Sequence, residues 1–312
     1  MLGNIFSSLF KLSFLLTVLR MATPILFASI AAFVTASAGV ANIAVESIMT
    51  FGALAGILGS YATGNVWAGV AIGLVVGAGT ALLIAFFSMR LGADPILIGI
   101  ALNTFADSLS IFFLYLATGE NGTSASLLTP TLGSVDIPGI KSIPVLGEIL
   151  SGQYILTYVC WFLLIVLFIM IYKTPLGMRM RACGLNADAA KTAGINVGRI
   201  RVFSLVLSGL FAALGGMYLS LNSIHLFSKG MVSGLGWMGI AANGIANGSY
   251  GMLLLSALLF AVFRGISIVF SQSAVFPVDL VRAVPYFAVF FFLTISSIIS
   301  YLRIKSGKVE EQ

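Results

Sequence analysis

The chain has 312 residues, of which 59% are hydrophobic and 8% charged, and a mean hydropathy of +1.10. Soluble domains carry about 25% charged residues, so this composition excludes one and reads as an all-α polytopic membrane protein. The formal net charge of +6 is accounted for by loop lysines and arginines that orient membrane helices by the positive-inside rule, and it calls for no nucleic acid partner.

A span needs about 20 apolar residues. On that measure, helices are predicted near 4–21, 22–38, 41–62, 66–90, 95–118, 153–172, 199–221, 234–247, 250–271 and 280–303. The first reads as a retained helix because no small-residue cleavage site follows its apolar run, although Lys11 and Arg20 lie within it. About ten crossings put both termini on one side. If the basic loop is cytoplasmic, Arg90, Arg303, Lys305 and Lys308 fall inside, and residues 119–152, with one lysine and three acids, fall outside. The expected organisation is a single transmembrane domain over 1–312. It comprises a first helix repeat (1–118), an extracytoplasmic loop (119–152), a second repeat (153–303) containing a cytoplasmic loop at 173–198, and a cytoplasmic tail (304–312).

The two five-helix units would have opposite topology. Their third helices, within GVANIAVESIMTFGALAG (39–56) and GLGWMGIAANGIANG (234–248), are short and punctuated by glycine. Interrupted helices at matching positions of inverted halves point to a pathway at the membrane midplane. Only Ile43-Ala44 and Ile240-Ala241 match directly, so chance similarity of apolar segments is the competing account. The segment 234–247 can be read as a span or as re-entrant.

Few ionisable or amide residues fall within the spans. Asn42, Glu46, Asn103, Asp107, Asn243 and Asn247 are the pathway candidates, with Arg264 as another intramembrane charge. A carboxylate at the bilayer centre costs about 2.5–3.5 kcal/mol on insertion scales, so it faces a cavity or a partner. Each of the pairs Asn42/Glu46, Asn103/Asp107 and Asn243/Asn247 is four residues apart and shares one helical face. Two readings fit Glu46 and Asp107: substrate contact, or helix packing through Arg264 or backbone groups. For the Asn243/Asn247 pair, packing is the stronger reading.

Cys160 and Cys183 read as reduced, buried thiols, and His225 has no metal-spaced neighbour. The sequence holds no phosphate loop ending in Lys-Ser or Lys-Thr, no serine elbow and no HExxH. Energy for transport would then come from a partner or an ion gradient.

Residues 173–201 (KTPLGMRMRACGLNADAAKTAGINVGRIR) hold six basic residues against Asp188. Strong helix formers at 187–193, flanked by Gly184 and Gly194, predict a short helix with Asn186 as N-cap. Such a helix could dock another protein, or the loop could simply lie on anionic lipid.

Asp188-Ala189-Ala190-Lys191-Thr192-Ala193-Gly194 resembles the EAAxxxG coupling motif of ABC importer permeases, with Asp for Glu and no downstream proline. Around it, 174–216 is similar to the branched-chain amino acid and ribose permease superfamily, through Thr174, Gly177, Arg181, Ala182, Gly184, Asn186, Ala189, Ala190, Gly194, Ile195, Asn196, Val197, Ser208, Gly209 and Gly215. ATPILFA (22–28) and GVANIAVESIMTFGA (39–53) resemble nucleoside-import permeases that work with basic-membrane-lipoprotein binding proteins. Ala22, Thr23, Pro24, Gly39, Val40, Asn42, Ile43, Glu46, Met49 and Gly52 carry that likeness, while Ala44 and Ser47 stand where those relatives have glycine.

The resemblance implies a type II ABC importer-like fold in a bacterial inner membrane. It implies a second permease subunit, homologous or identical, and ATPase subunits that hold ATP and Mg, with no cofactor in this chain. It further implies an extracytoplasmic substrate-binding lipoprotein. Arg179, Arg181, Gly184, Asn186, Asp188, Ala189, Ala190 and Gly194 would couple to the ATPase. A sugar or branched-chain amino acid importer of the same design is the nearest alternative, and an ion-coupled secondary carrier is the alternative of another class.

Overall fold

The computed structural model describes residues 12–120, 122–136 and 151–272, together with Phe287, Phe290, Phe291, Thr294 and Ile298, each of them helical. Ten helices and a two-stranded ribbon make up the described continuous segments. They are α1 (Leu12–Ser37), α2 (Val45–Thr63), α3 (Val66–Arg90), α4 (Pro95–Thr118), β1 (Ser134–Val135), β2 (Gln153–Tyr154), α5 (Ile155–Lys173), α6 (Pro175–Leu185), α7 (Ala187–Thr192), α8 (Val197–Met217), α9 (Leu235–Ala246) and α10 (Tyr250–Gln272). A π-helical turn, Tyr218–Ser223, extends α8.

Helix ends fall where local chemistry stops them. The Asn65 side chain accepts from Trp67 N at 2.9 Å and opens α3. Asp94 does the same for Ile96 N at 2.8 Å ahead of Pro95, and α4 closes on Gly119 at φ 72°. Both helices therefore match their predicted ranges.

Among the described residues seven helices are long and apolar enough to cross a membrane, fewer than the ten predicted. The separate helices predicted at 4–21 and 22–38 are corrected: residues 12–37 form one continuous α1. No breaker precedes Pro24, Thr23 Oγ1 donates back to Leu19 O at 3.2 Å, and the Arg20 guanidinium sits 5.2 Å from the Tyr154 ring centre. That contact accommodates the cation without ending the helix. The segment predicted at 234–247 forms a 12-residue helix, about 18 Å long at 1.5 Å per residue, too short for a hydrocarbon core of about 30 Å. The predicted last span, 280–303, lies outside the described residues except for the five helical positions named above, as does residue stretch 1–11.

Contacts fix which ends share a face. Gly39, just past α1, lies against Cys183 and Gly184 of the basic loop. The other end of α1 reaches Tyr154 through Arg20, and Gly265 of α10 through Phe14 and Val18. So α1 and α5 run from the far face to the basic face, and α10 runs back. The first described turn of α1 is thus on the face opposite the basic loop.

Glycine permits the closest helix approaches in the core. A Cβ at Gly52 would meet Ala213 Cα at 2.7 Å, one at Gly77 would meet Gly209 O at 2.7 Å, and one at Gly216 would run into the Met49 carbonyl. These contacts draw α2, α3 and α8 together, the small-residue packing that replaces a hydrophobic drive in lipid. On the other side α9 packs on α1, where a Cβ at Gly239 would strike the Ala28 backbone at 2.6 Å.

Candidate functional site

Two helices begin at membrane depth. The chain leaves α1, turns at Gly39 (φ 71°) and runs irregularly to Val45. Asn42 holds this turn: Oδ1 accepts from Ala44 N at 3.0 Å and Nδ2 donates to Ser208 Oγ at 2.9 Å. Ser208 lies near the middle of the Val197–Ser223 span, so α2 starts well inside the membrane layer. Its first N–H groups have no partner within the helix and no bulk water to bond. Asn103 of α4 supplies one, accepting from Ser47 N at 3.0 Å and donating to Ile43 O at 2.9 Å.

Helix α9 has the same problem and a stronger answer. Gly234, at φ 81°, offers no side-chain cap. Glu46 reaches across from α2, its Oε1 accepting from Gly234 N at 2.7 Å and its Oε2 from Gly236 N at 2.8 Å. A carboxylate at a helix N-terminus is favoured by the helix dipole as well as by these bonds. Gly236 must lack a side chain, since a Cβ there would lie 2.7 Å from Glu46 Cα. Glu46 is therefore engaged by backbone groups, not by Arg264.

Beside this junction is a cavity of about 330 Å³ lined by Glu46, Thr50, Asn103, Ala106, Asp107, Gly230, Val232, Ser233, Gly234 and Trp237. It brings together three of the six predicted pathway residues, Glu46, Asn103 and Asp107. Asn42 and Asn243 line a second cavity, of about 310 Å³, between α1, the 39–43 segment and α9. Asn247 lines neither. It is the exposed left-handed C-cap of α9 at φ 44°, a conformation asparagine tolerates. Thr50 and Trp237 were not singled out in the sequence. The tryptophan follows three residues of a glycine-rich helix start, and nothing local marks it as cavity-facing.

On the basic face, the sequence reading missed α6. Thr174 caps it, accepting from Gly177 N at 3.2 Å, with Pro175 in the first turn. The short helix predicted at 187–193 is α7, at 187–192, and Asn186 Oδ1 caps it by accepting from Asp188 N and Ala189 N at 3.0 Å each. Ala190 is buried, while Asp188, Ala189 and Lys191 face outward. Gly194 turns the chain at φ 81°. A Cβ at Gly184 would lie 2.5 Å from Ser37 O, so this glycine lets the loop press on the end of α1. Arg179 is exposed, but Arg181 is half-buried with its guanidinium 5.2 Å from the Tyr172 ring centre. Tyr172 in turn donates its hydroxyl to Gly248 O at 3.3 Å. Cys160 and Cys183 are free and buried. Burial pushes the Cys183 thiol pKa up, and the charge of Arg201 works in the opposite direction.

A bundle of apolar spans with two helices starting inside the layer, a polar cavity at their junction and capped short helices on one basic face defines a polytopic membrane permease. Residues 14–295 match the family model described as branched-chain amino acid transport system / permease component. The chain belongs to that family.

Its relatives include the nucleoside ABC transporter permease protein NupC of Lactococcus lactis subsp. cremoris, 30% identical over 80% of each chain. The guanosine ABC transporter permease protein NupQ of Bacillus subtilis is 30% identical over 71% of each. The glucose ABC transporter permease protein TsgB13 of Haloferax volcanii is 27% identical over 89% of this chain and 75% of its own. The fold resembles a solved structure of a metal-chelate-type ABC transporter in an inward-facing conformation, with a TM-score of 0.51 and 17% identity over 90% of this chain and 84% of that one.

Proposed function

We propose that this chain is the translocation subunit of an ATP-driven nucleoside importer in a bacterial inner membrane. The observation that carries the reading is the 30% identity to a nucleoside permease across 80% of both chains. The cavity chemistry agrees with it. Asp107 and Thr50 offer groups for ribose hydroxyls, and Asn103 has hydrogen-bonding capacity left after its two backbone bonds. Trp237 offers a face on which a base can stack. A mostly apolar site with a few placed polar groups suits such a ligand.

In this reading the halves 1–118 and 153–303 act as inverted repeats, with α2 and α9 as their paired interrupted helices. Residues 173–198 form the coupling loop, docking α7 and its exposed Asp188, Ala189 and Lys191 on an ATPase subunit. Arg179, Arg181, Gly184, Asn186, Ala190 and Gly194 shape that contact. ATP and Mg stay on the partner. A second permease copy or relative completes the channel, and an extracytoplasmic lipoprotein delivers the substrate.

Glucose import is the second reading, supported by the likeness to the Haloferax permease; a sugar would use the hydroxyl-binding groups and leave Trp237 without a stacking role. Proteoliposomes holding the chain with its partner subunits and binding protein should take up labelled guanosine or adenosine only with internal ATP, and glucose poorly. Uptake of glucose but not nucleoside would overturn the substrate. Uptake by this chain alone on an ion gradient would overturn the machinery.

A further inference from the structure

A cleft of about 580 Å³ lies on the basic face, between the last turns of α3 and the first turns of α8. Its walls are Leu82 and Phe86 of α3 and Phe203 of α8, which remain 48%, 51% and 42% exposed. At its mouth stand Arg90 and Arg199, both exposed and neither with an acidic partner among the described residues. Helix α8 carries no acid in its first turn, and opens instead with Arg199 and Arg201. A helix N-terminus already presents partial positive charge, so these arginines deepen a local excess that an anion would relieve. The space beside Gly198 is open: a Cβ there would touch only Asn196 Oδ1, at 3.6 Å.

We propose that this cleft is a binding site for one anionic phospholipid of the inner leaflet, its phosphate held by Arg90 and Arg199 and an acyl chain lying along Leu82, Phe86 and Phe203. The charge selects a phosphate, and basic pockets between membrane helices on the cytoplasmic side take such headgroups. The apolar walls select a lipid over a soluble phosphate. They belong to two membrane spans, so the groove continues into hydrocarbon while the guanidinium groups stay at headgroup level, as long basic side chains do near helix ends.

The test is native mass spectrometry of the full chain, isolated with its partner subunits from nanodiscs containing phosphatidylglycerol or phosphatidylcholine. One phosphatidylglycerol should survive mild activation, phosphatidylcholine should not, and Arg90→Gln with Arg199→Gln should cut retention at least tenfold. Lys229→Gln, on the opposite face, should leave retention unchanged and controls for the loss of a positive charge away from the cleft. Equal retention of both lipids, or no loss in the double variant, overturns the proposal. So does displacement by millimolar inorganic phosphate or ATP, which would mark a soluble-anion site. Release of an ATPase subunit by the double variant with lipid retention intact also overturns it, in favour of a protein contact.

Discussion

Replacing Glu46 with Gln tests the junction between α2 and α9 directly. In the native chain each carboxylate oxygen takes one backbone N–H, at 2.7 and 2.8 Å. Hydrogen bonds to charged groups contribute about 1.5–3 kcal/mol each, against about 1 kcal/mol for neutral ones. Glutamine keeps one acceptor and turns an NH₂ group toward the other N–H. One charge-assisted bond is lost and the second is weakened, for a net cost of about 2–5 kcal/mol to the first turn of α9. At 1.4 kcal/mol per tenfold, that turn should open at least roughly 30-fold more often. Hydrogen–deuterium exchange of the full chain in nanodiscs should show the increase in peptides over 234–238, with α3 peptides over 69–77 unchanged. Glu46→Asp keeps the charge on a stem one methylene shorter and should fall between. Exchange at 234–238 within twofold of wild type in Glu46→Gln would refute the capping role, and an increase spread evenly over all helices would show general destabilisation instead.

Four further outcomes are expected. Gly52→Ala should lower the unfolding midpoint by overpacking against Ala213, at about 1–3 kcal/mol, whereas Gly79→Ala, with open space around its Cβ, should be neutral or stabilise by up to about 1 kcal/mol; equal midpoints would reject the α2–α8 packing argument. Asn186→Ala removes two capping bonds and should destabilise α7 by about 1 kcal/mol, read as faster exchange over 187–193. Arg179→Glu alters an exposed charge without disturbing a described contact, so uptake should fall while membrane insertion and melting stay constant; unchanged uptake argues against ATPase docking through this face. A double-mutant cycle over Asn42→Ala and Ser208→Ala should give a coupling of about 0.5–1.5 kcal/mol, and additivity would remove that bond from the account of the α1–α2 turn.

Legibility followed the range of the interaction. Helices α3 and α4 could be bounded from the sequence because Asn65, Asp94-Pro95 and Gly119 act on their own neighbours. Asn186 and Gly194 bracketed α7 for the same reason. Helix α6 is equally local, signalled by Thr174-Pro175, but its charged and glycine-containing run carries no apolar periodicity. Arg20, which lies inside the merged first helix, meets Tyr154, 134 residues away in sequence. Glu46 and Asn103 stood out as intramembrane polar residues, yet their backbone partners lie at separations of 188, 190, 56 and 60 residues. A single sequence contains no sign of those pairings. Glu46 and Asp107 read in sequence as pathway or packing residues, and for Glu46 the geometry joins the two: the same carboxylate caps a helix and borders a cavity.

That dual position constrains how the bundle can move. Breaking the Glu46 junction would strand two N–H groups and a carboxylate in a layer with little water, each orphaned N–H costing about 1–3 kcal/mol and the charge more. Motions within the reach of thermal energy or one ATP-driven stroke are easier if that junction travels intact. The start of α2 and the start of α9 are bonded to one another, and Asn103 of α4 is bonded to the same turn. If the junction travels intact, the change in backbone angle falls to the irregular segments that lead into these helices, the 38–44 turn after α1 and the 224–233 segment after the π-helical turn. Both carry left-handed residues, Gly39 in the first and His225, Gly230 and Ser233 in the second, and each leads directly into one of the two joined helices. The far end of α9 reaches the basic face, where Gly248 O accepts from Tyr172 and Arg181 stacks on that ring. Under the proposed coupling role, a displacement of α6 and α7 would reach the joined pair through the C-terminus of α9.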